Sequence, residues 1–175
     1  ETVVLFFFLS GIRRHTISLG DWISGRVRFR SEAVCSLGNG RMGQRGNFEE
    51  TFTGKTLQGN YVAGVYYPDK TRVGWWKNGY PEYFAKVLNA ANWIGIKVEI
   101  EDEILDLNTC EVSDFQRVLN MKEGYLERSL TATLSSGKQL KVNSKRLNSI
   151  VDDESGVIRY SITPLNFDGK ITLTP

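Results

Sequence analysis

The segment from Arg72 to Trp93 concentrates aromatic side chains that could bind a ligand. Six of them lie within 22 residues: Trp75, Trp76, Tyr80, Tyr83, Phe84 and Trp93. Adjacent residues of an extended chain point to opposite sides, so one of Trp75 and Trp76 can pack in the core while the other is exposed. An exposed indole offers a large flat surface and one N–H donor, which suits the C–H face of a sugar ring. The alternative is that both tryptophans pack in the core or at a domain interface, and the sequence leaves both interpretations open.

The glycine-rich stretch Ser36–Glu50, SLGNGRMGQRGNFEE, is the second candidate. Its four glycines predict a path with unusual backbone dihedrals rather than a regular element. Arg41 and Arg45 add planar donor forks that suit carboxylates or carbonyls. Arg41 is therefore a candidate substrate-binding residue, and the alternative is that both arginines are buried and pin this corner. The stretch contains G-x-G-x-x-G, but the glycine, aromatic and threonine residues that follow are poor helix formers, which argues against a nucleotide-binding loop.

The acidic residues do not suggest a catalytic pair. Glu49 and Glu50 are adjacent, so on a strand they would face opposite sides. The run from Glu101 to Glu103 predicts a solvated turn. Glycosidases need two carboxylates across the scissile bond, and no spacing here provides them, so we assign no catalytic residue. The single histidine, His15, cannot anchor a multi-histidine metal site, and we expect no metal and no cofactor.

Composition indicates an ordinary soluble globular chain of 175 residues with a net charge of +2 and 24% charged residues. This balance gives no reason to expect a nucleic acid partner. Cys35 and Cys110 are expected to be free thiols in a reducing compartment rather than a disulfide. The apolar run Val3–Leu9 is too short for a membrane helix, which needs about 20 residues, and lacks the flanks of a signal peptide. We interpret it as a buried strand and expect a cytoplasmic protein without membrane contact.

Period-two alternation runs through most of the sequence and predicts strands. Trp93–Glu101 is the clearest, with apolar residues on one face. Tyr125–Leu134 alternates in the same way, and the turn Ser135–Lys138 predicts a hairpin. The next strand begins with Leu140 and Val142 inward, whereas Leu147 and Val151 have the other parity. That slip predicts a β-bulge near Ser144–Arg146.

Shorter segments complete the pattern. Gly25–Arg30 predicts a half-buried strand with its arginines in solvent, and Tyr61–Tyr67 a strand that stops at the turn signal Pro68-Asp69. Pro81–Leu88 could form two helical turns or an extended strand. Near the end, the inward positions are expected to be Ile158, Tyr160, Ile162, Ile171 and Leu173. Short strands at roughly ten-residue spacing predict an all-β, antiparallel two-sheet β-sandwich.

Three long motifs in order, SLGNGRMGQRGNFEE, GNYVAGVYY and LNAANW, resemble the N-terminal domain of glycoside hydrolase family 65. This family contains the maltose, trehalose and kojibiose phosphorylases and their hydrolase relatives. GWWKNGYPEYF, LNMKEGYLERS and YSITPLNFDGKITLTP look most like its maltose phosphorylase branch. The resemblance covers residues 31–175, and residues 1–30 are not matched.

The resemblance implies a single galactose mutarotase-like supersandwich domain over residues 1–175. In this family the domain precedes a catalytic (α/α)6 barrel, which is absent from this chain. The whole enzyme would split maltose with inorganic phosphate into β-glucose 1-phosphate and glucose, with inversion and without a cofactor. The family's general acid is a glutamate of the barrel, so this chain alone is expected to be inactive.

By the same resemblance, the domain would support the barrel and a homodimer. Its loop at Trp75 and Trp76, with Trp93 and Arg41, could reach the rim of a site for maltose or a related α-glucoside. Two other classes remain open. One is a stand-alone carbohydrate-binding β-sandwich, and the other is a purely structural assembly domain.

Overall fold

The computed structural model of the chain describes residues 31–72 and 79–175, together with the backbone of residues 16–20. The strands expected at Val3–Leu9 and Gly25–Arg30, the single histidine His15, and both Trp75 and Trp76 lie outside the described residues. The described part is built of β-strands apart from a helical segment at residues 31–34. Its strands are β1 Thr16–Gly20, β2 Leu37–Gly38, β3 Met42–Gln44, β4 Asn60–Val62, β5 Tyr66–Lys70, β6 Tyr83–Val87, β7 Lys97–Ile100, β8 Glu103–Ile104, β9 Glu111–Asn120, β10 Tyr125–Thr133, β11 Gln139–Asn148, β12 Gly156–Pro164 and β13 Ile171–Thr174.

These strands form one large and three small sheets. The large sheet has five strands in the order β1-β9-β10-β11-β12. Two three-stranded sheets have the orders β13-β7-β8 and β2-β3-β4, and β5 with β6 forms a two-stranded ribbon. All of these strand pairs are antiparallel. The predicted all-β, antiparallel class is confirmed.

The main core lies between the five-stranded sheet and the β13-β7-β8 sheet. Apolar side chains from β10 and β11 cluster with those from β7 and the segment after it. The buried members are Phe48, Val98, Ile100, Leu105, Leu107, Leu130, Ala132, Leu134, Leu140 and Val142. Each fully buried aliphatic side chain contributes about 1.5–3 kcal/mol to folding. The alternation predicted for Trp93–Glu101 and for Tyr125–Leu134 is therefore confirmed at these positions.

The β-bulge predicted near Ser144–Arg146 is wrong. Strand β11 pairs without a register shift with both β10 and β12. Its buried positions continue in the same parity, but polar residues occupy them: Ser144, Arg146 and Asn148 point inward. Val151, expected to face inward, is fully exposed at 101%. The irregularity lies instead in β9, where the register with β10 shifts opposite Ser129 and Thr131 and Asp114 has φ 50.

Two strand boundaries and one inward position differ from expectation. The segment Tyr61–Tyr67 is divided, because β4 ends at Val62 and a turn with Gly64 at φ 89 follows. Strand β5 then continues through Pro68 and Asp69, which is possible because a two-stranded ribbon leaves an edge where proline loses no hydrogen bond. Of the two alternatives left open for Pro81–Leu88, the extended one is confirmed, as β6. Leu173 is 47% exposed rather than inward.

The two cysteines are free, as predicted. Cys35 is buried beside Leu119 and Leu126 in a second, smaller core cluster. Burial raises the pKa of the Cys35 thiol, and burial raises that of Cys110 to about 11. Both sulfurs are therefore protonated at neutral pH, which makes them poor nucleophiles. In the part of the chain that the structure describes, no helix is long and apolar enough to cross a membrane.

Candidate functional site

Within the described residues, exposed aromatic side chains concentrate on the ribbon formed by β5 and β6, which we call the aromatic hairpin (residues 65–72 and 79–88). Tyr66 and Tyr67 are each 58% exposed, and Tyr83 and Phe84 are 53% and 47% exposed. Its ladder extends beyond the strands through hydrogen bonds from the amide of Thr71 to the carbonyl of Glu82 and from the Thr71 hydroxyl to the carbonyl of Pro81. Isolated two-stranded ribbons are marginally stable in water, and exposed apolar patches mark interaction sites. The hairpin is therefore the leading candidate for contact with a ligand or another protein surface.

The register of the hairpin gives its two faces different chemistry. Residues directly opposite each other share a face. One face therefore carries mainly apolar side chains: Tyr66, Pro68, Tyr83, Ala85 and Val87, with Lys70 at its end. The other face carries Tyr67 and Phe84 together with Asp69 and Lys86, whose charged groups lie 3.6 Å apart. The first face suits apolar packing, and the second combines aromatic rings with hydrogen-bonding groups.

Asparagines fix the base of the hairpin to the rest of the domain. Asn60, buried at the start of β4, donates through its side chain to Asn92 Oδ1 at 2.9 Å. The Asn60 amide donates to Asn89 Oδ1 at 3.1 Å, and its carbonyl accepts from the amide of Ala90 at 2.7 Å. Asn89 and Asn92 belong to the LNAANW motif, so this motif positions the hairpin. The segment 73–78, with Trp75 and Trp76, lies between β5 and β6 in the sequence.

Trp93 packs against the start of strand β12 and does not project freely into solvent. It is half-buried, and its ring covers Gly156, the first residue of β12. A Cβ added at Gly156 would lie 2.2 Å from Cη2 of Trp93. Glycine is therefore the only residue type at position 156 that leaves room for this ring. This position favours the packing interpretation of Trp93 over a direct sugar contact.

Substitution of Gly156 tests that contact. We expect Gly156→Ala to destabilise the fold by about 1–3 kcal/mol because the new methyl group must displace the indole. The measurement is urea unfolding followed by tryptophan fluorescence. The matched control is Gly43→Ala, where the nearest atoms to an added Cβ belong to Tyr61 at 3.9 Å, an ordinary contact distance. Equal stability of the two variants would contradict the packing role of Trp93.

Arg41 lies on the surface, and its side chain is 50% exposed. Nη2 contacts Glu154 Oε1 at 2.7 Å, and Nη1 lies 3.9 Å from Asp153 Oδ1. Its neighbour Asn39 donates through Nδ2 to the carbonyls of Ser149 at 2.6 Å and Asp153 at 2.9 Å. The expectation that Arg41 is a buried pin is wrong. It binds the turn between β11 and β12 and does not lie on the aromatic hairpin.

Among the described residues, the most deeply buried arginines belong to the large sheet, whereas Arg45 of the glycine-rich stretch is half-buried. Arg117 on β9, Arg128 on β10 and Arg146 on β11 all point inward and are almost fully buried. Arg117 lies directly opposite Arg128 in the strand register. Like charges directly opposite each other repel. This row of three arginines therefore requires partners that offset the repulsion. The segment Phe48–Glu50, at the end of the glycine-rich stretch, supplies them.

The contacts of this segment form an ionic cluster, defined as Glu49, Glu50, Arg128, Arg146 and Tyr160. Arg128 Nη2 donates to Glu49 at 2.5 Å and to both oxygens of Glu50 at 2.7 Å. Arg146 donates to Glu49 Oε1 at 2.9 Å, and the Tyr160 hydroxyl donates to Glu50 Oε1 at 2.7 Å. Both carboxylates meet the same guanidinium because residues 49 and 50 form a bend rather than a strand. The expectation that they face apart applied to a strand, and these two residues are not part of one.

Arg146 and Arg117 complete the row in different ways. Arg146 also donates to the carbonyls of Arg45 at 2.8 Å and Asn47 at 3.0 Å, so it holds the backbone of the glycine-rich stretch. The Arg117 guanidinium carbon lies 5.0 Å from the centroid of the Phe48 ring, within cation–π distance. Its Nη1 donates to Ser31 Oγ at 2.8 Å. Burial, with the nearby charge of Arg128, lowers the pKa of Arg117 to about 10, so it stays charged at neutral pH.

The electrostatics of the ionic cluster argue against acid–base catalysis. Burial alone would raise the pKa of Glu49, but the charges of Arg128 and Arg146 outweigh it and hold that pKa below its ordinary value of 4.5. Burial and the charge of Glu50 raise the pKa of Tyr160, so its hydroxyl remains a donor. A cavity of about 370 Å³ adjoins residues 48–52, but the side chains of Glu49 and Glu50 are only 2% and 0% exposed. The cluster therefore holds the fold together.

Among the described residues, no group of three or more histidine, cysteine, aspartate or glutamate side chains could hold a metal ion. Of the predicted site residues, the structure places Arg41 and Trp93 at the β11–β12 turn. Sequence reasoning missed Tyr66 and Tyr67 as surface residues and treated them as ordinary strand positions. A signal was available: YVAGVYY does not alternate apolar and polar residues, so neither face could be assigned to solvent.

Comparison with known proteins identifies the family. The family model described as "Glycosyl hydrolase family 65, N-terminal domain" matches residues 27–175. The chain belongs to this family. Maltose phosphorylase of Bacillus subtilis (strain 168) is 49% identical over 144 residues, which cover 82% of this chain and 19% of that protein. Alpha,alpha-trehalose phosphorylase of Thermoanaerobacter brockii is 33% identical over 170 residues, which cover 86% of this chain and 21% of the relative.

A solved structure supports the same family-65 fold. The structure described as "Putative kojibiose phosphorylase from human microbiome" superposes with a TM-score of 0.77 at 29% identity, covering 90% of this chain and 21% of the other. The chain therefore spans about a fifth of the length of these relatives. The region shared with them is the N-terminal β-domain of a family-65 enzyme.

Proposed function

We propose that this chain is the non-catalytic N-terminal domain of an inverting maltose phosphorylase. The support is the 49% identity to a maltose phosphorylase, against 32% to a kojibiose phosphorylase of Caldanaerobacter subterraneus subsp. tengcongensis and 33% to a trehalose phosphorylase. In the proposed reaction, inorganic phosphate attacks the anomeric carbon of maltose and the glycosidic C–O bond breaks. β-Glucose 1-phosphate and glucose are released, and the leaving oxygen takes a proton from an acid in the catalytic part.

The contribution of this chain is structural and positional. The ionic cluster and the main core hold the large sheet in place. The asparagines at the base of the aromatic hairpin hold the hairpin against the rest of the domain. The hairpin carries Trp75 and Trp76 toward the rim of the maltose site and meets the catalytic barrel of the same polypeptide. The domain also contributes to a homodimer. Two free thiols fit a cytoplasmic location, where disulfides are rare.

The rim role is tested in the full-length protein with Trp75→Ala and Trp76→Ala. Pairs of aromatic rings are worth about 0.5–1.5 kcal/mol beyond their area burial, and we expect a contribution on the same order from a ring that stacks on a sugar. This corresponds to a decrease of about 2- to 12-fold in kcat/KM for maltose phosphorolysis. Steady-state kinetics with maltose and phosphate measure it.

The matched control is Tyr125→Ala, which removes an aromatic ring from the outer face of the large sheet, where Lys145 Nζ covers it at 3.4 Å. This variant should keep the wild-type kcat and KM. Unchanged kinetic constants for both tryptophan variants would remove the rim role. Phosphorolysis of kojibiose or trehalose in preference to maltose would contradict the proposed substrate.

A stand-alone carbohydrate-binding domain is the second candidate, and the exposure of aromatic rings on both faces of the hairpin favours it. Calorimetric titration of the isolated chain with maltose distinguishes the two, with glucose and phosphate as controls. Binding at millimolar affinity or better, about −4 kcal/mol, would support a sugar site within this chain. Absence of heat would support a site that is complete only with the catalytic part.

A further inference from the structure

The turn between β11 and β12 presents two aliphatic side chains fully to solvent. Ile150 is 83% exposed and Val151 is 101% exposed. Nothing in the packing of the described residues benefits from an apolar side chain at either position. We call residues 149–155 the apolar turn.

This turn is fixed from three sides. Within it, the amide of Ser149 donates to the carbonyl of Ser155 at 2.9 Å, and the amide of Asp152 donates to Ser149 Oγ at 3.0 Å. From the glycine-rich stretch, Asn39 donates to two of its carbonyls and Arg41 binds Glu154 at 2.7 Å. From the other side, the Trp93 ring covers Gly156 at the start of β12.

Such an arrangement has the properties of a preorganised contact. Ordering a flexible loop on association costs free energy, and a loop that is already held in place avoids that cost. The buried core of an interface is more apolar than the polar rim around it, and the few residues that carry most of the binding energy lie near its centre. Here the two aliphatic residues precede the acidic run Asp152-Asp153-Glu154, of which Arg41 contacts only the last two.

We propose that the apolar turn docks into an apolar socket rimmed by basic side chains on the catalytic part of the same polypeptide. This rests on the proposed function, in which that part follows this domain. The relatives are about five times longer than the matched region, since it covers 19% and 21% of them. A covalently connected surface has an effective concentration in the millimolar range, which favours it over a second copy at cellular concentrations. The rim of the socket is proposed to be basic because the run that it would face is acidic.

The test compares the full-length protein with the 175-residue chain. Hydroxyl-radical footprinting should oxidise Val151 freely in the 175-residue chain and much less in the full-length protein. Val151→Asp and Ile150→Asp should leave the melting temperature of the 175-residue chain within about 2 °C of wild type, since neither side chain is buried there. In the full-length protein each should lower the melting temperature by about 4 °C or more.

The matched control is Leu165→Asp, at the opposite end of β12, where the side chain is 51% exposed. It should leave both melting temperatures near wild type. Equal oxidation of Val151 in the two proteins, or equal effects of the aspartate variants in both, would overturn the docking. Conversion of a dimer to a monomer by these variants, measured by light scattering, would assign the turn to a second copy and overturn the intrachain contact. Maltose phosphorolysis by the wild-type protein is measured alongside, so that failure of the docking leaves the proposed activity standing.

Discussion

Replacement of Arg128 by alanine is expected to destabilise the fold by about 3–5 kcal/mol, because it leaves buried carboxylates without their partner. Arg128 is the only residue of the ionic cluster that binds both Glu49 and Glu50. Arg146 still reaches Glu49, but Glu50 would keep only the hydroxyl of Tyr160. Urea unfolding of the 175-residue chain, followed by circular dichroism at neutral pH, measures the free energy of unfolding.

The matched control is Arg159→Ala, which removes an exposed arginine from β12. A surface substitution of this kind changes stability by no more than about 0.5 kcal/mol. If the alanine variant does not fold, Arg128→Lys provides the measurement. It keeps the charge, but the lysine ammonium does not extend as far as Nη2, the guanidinium nitrogen that binds both carboxylates. Its stability should therefore fall between those of wild type and Arg128→Ala. A loss below about 1 kcal/mol for Arg128→Ala would mean that the cluster is not a main support of the fold.

The arginine row also explains the largest error of the sequence-based fold prediction. The inward positions of β11 run from Leu140 and Val142 to Ser144 and Arg146 without a break. Hydrophobic periodicity assumes that an inward residue is apolar, so a buried arginine looks like a change of parity. The partners that make Arg146 an inward residue come from Asn47 and Glu49, which are about a hundred positions away in sequence. Local pattern carries no information about such a pairing.

Where burial is apolar, the sequence was sufficient. Val98 and Ile100 on β7 and Leu130 and Leu134 in the β10 region lie in the core at the positions that alternation predicts. These residues repeat every second position with polar residues between them. The hydrophobic effect depends on area alone and has no directional requirement, so periodicity suffices to locate such a core.

The candidate site was only partly accessible from sequence. The aromatic content of Arg72–Trp93 predicts an interaction surface, and the hairpin there is exposed. The role of Trp93 was not accessible, because its contact with Gly156 joins segments that are far apart in sequence. Arg41 was selected for its donor chemistry, yet the same chemistry serves equally well to hold a neighbouring acidic turn. Residue type identifies what a side chain can bind, and only the fold decides what lies within its reach.

Acid is expected to destabilise the domain through the same ionic cluster. The pKa of Glu49 is lowered in the folded chain relative to its ordinary value of 4.5. Between the two pKa values the unfolded chain binds more protons than the folded chain, so the free energy of unfolding rises with pH in that window. The stabilisation from Glu49 is therefore fully present above about pH 4.5 and is lost as pH falls through the folded pKa. Urea unfolding at a series of pH values from about 7 to about 3 measures this slope.

Glu49→Gln separates this contribution from those of other acidic groups. The amide cannot titrate, so the variant should be less stable than wild type at neutral pH but should lose less stability on acidification. Glu127→Gln, on the exposed outer face of β10, is the control and should keep the wild-type slope. Asp106, whose pKa is also lowered, retains its own contribution in all three proteins, so the slope should decrease in Glu49→Gln without vanishing. An unchanged slope would show that Glu49 does not govern acid stability.

Combining acid with the Arg128 substitution gives the sharpest test of the cluster. Burial is the largest influence on the pKa of Glu49 and acts to raise it, and Arg128 is the largest influence that opposes it. Without Arg128, the folded pKa of Glu49 should rise toward that of the unfolded chain, although Arg146 still lowers it. The folded and unfolded states of the variant would then differ less in bound protons, so the variant should lose less stability on acidification than wild type. The penalty of Arg128→Ala should therefore shrink as pH falls below about 4.5, whereas a penalty that stays constant with pH would mean that the arginine acts by packing and not by charge.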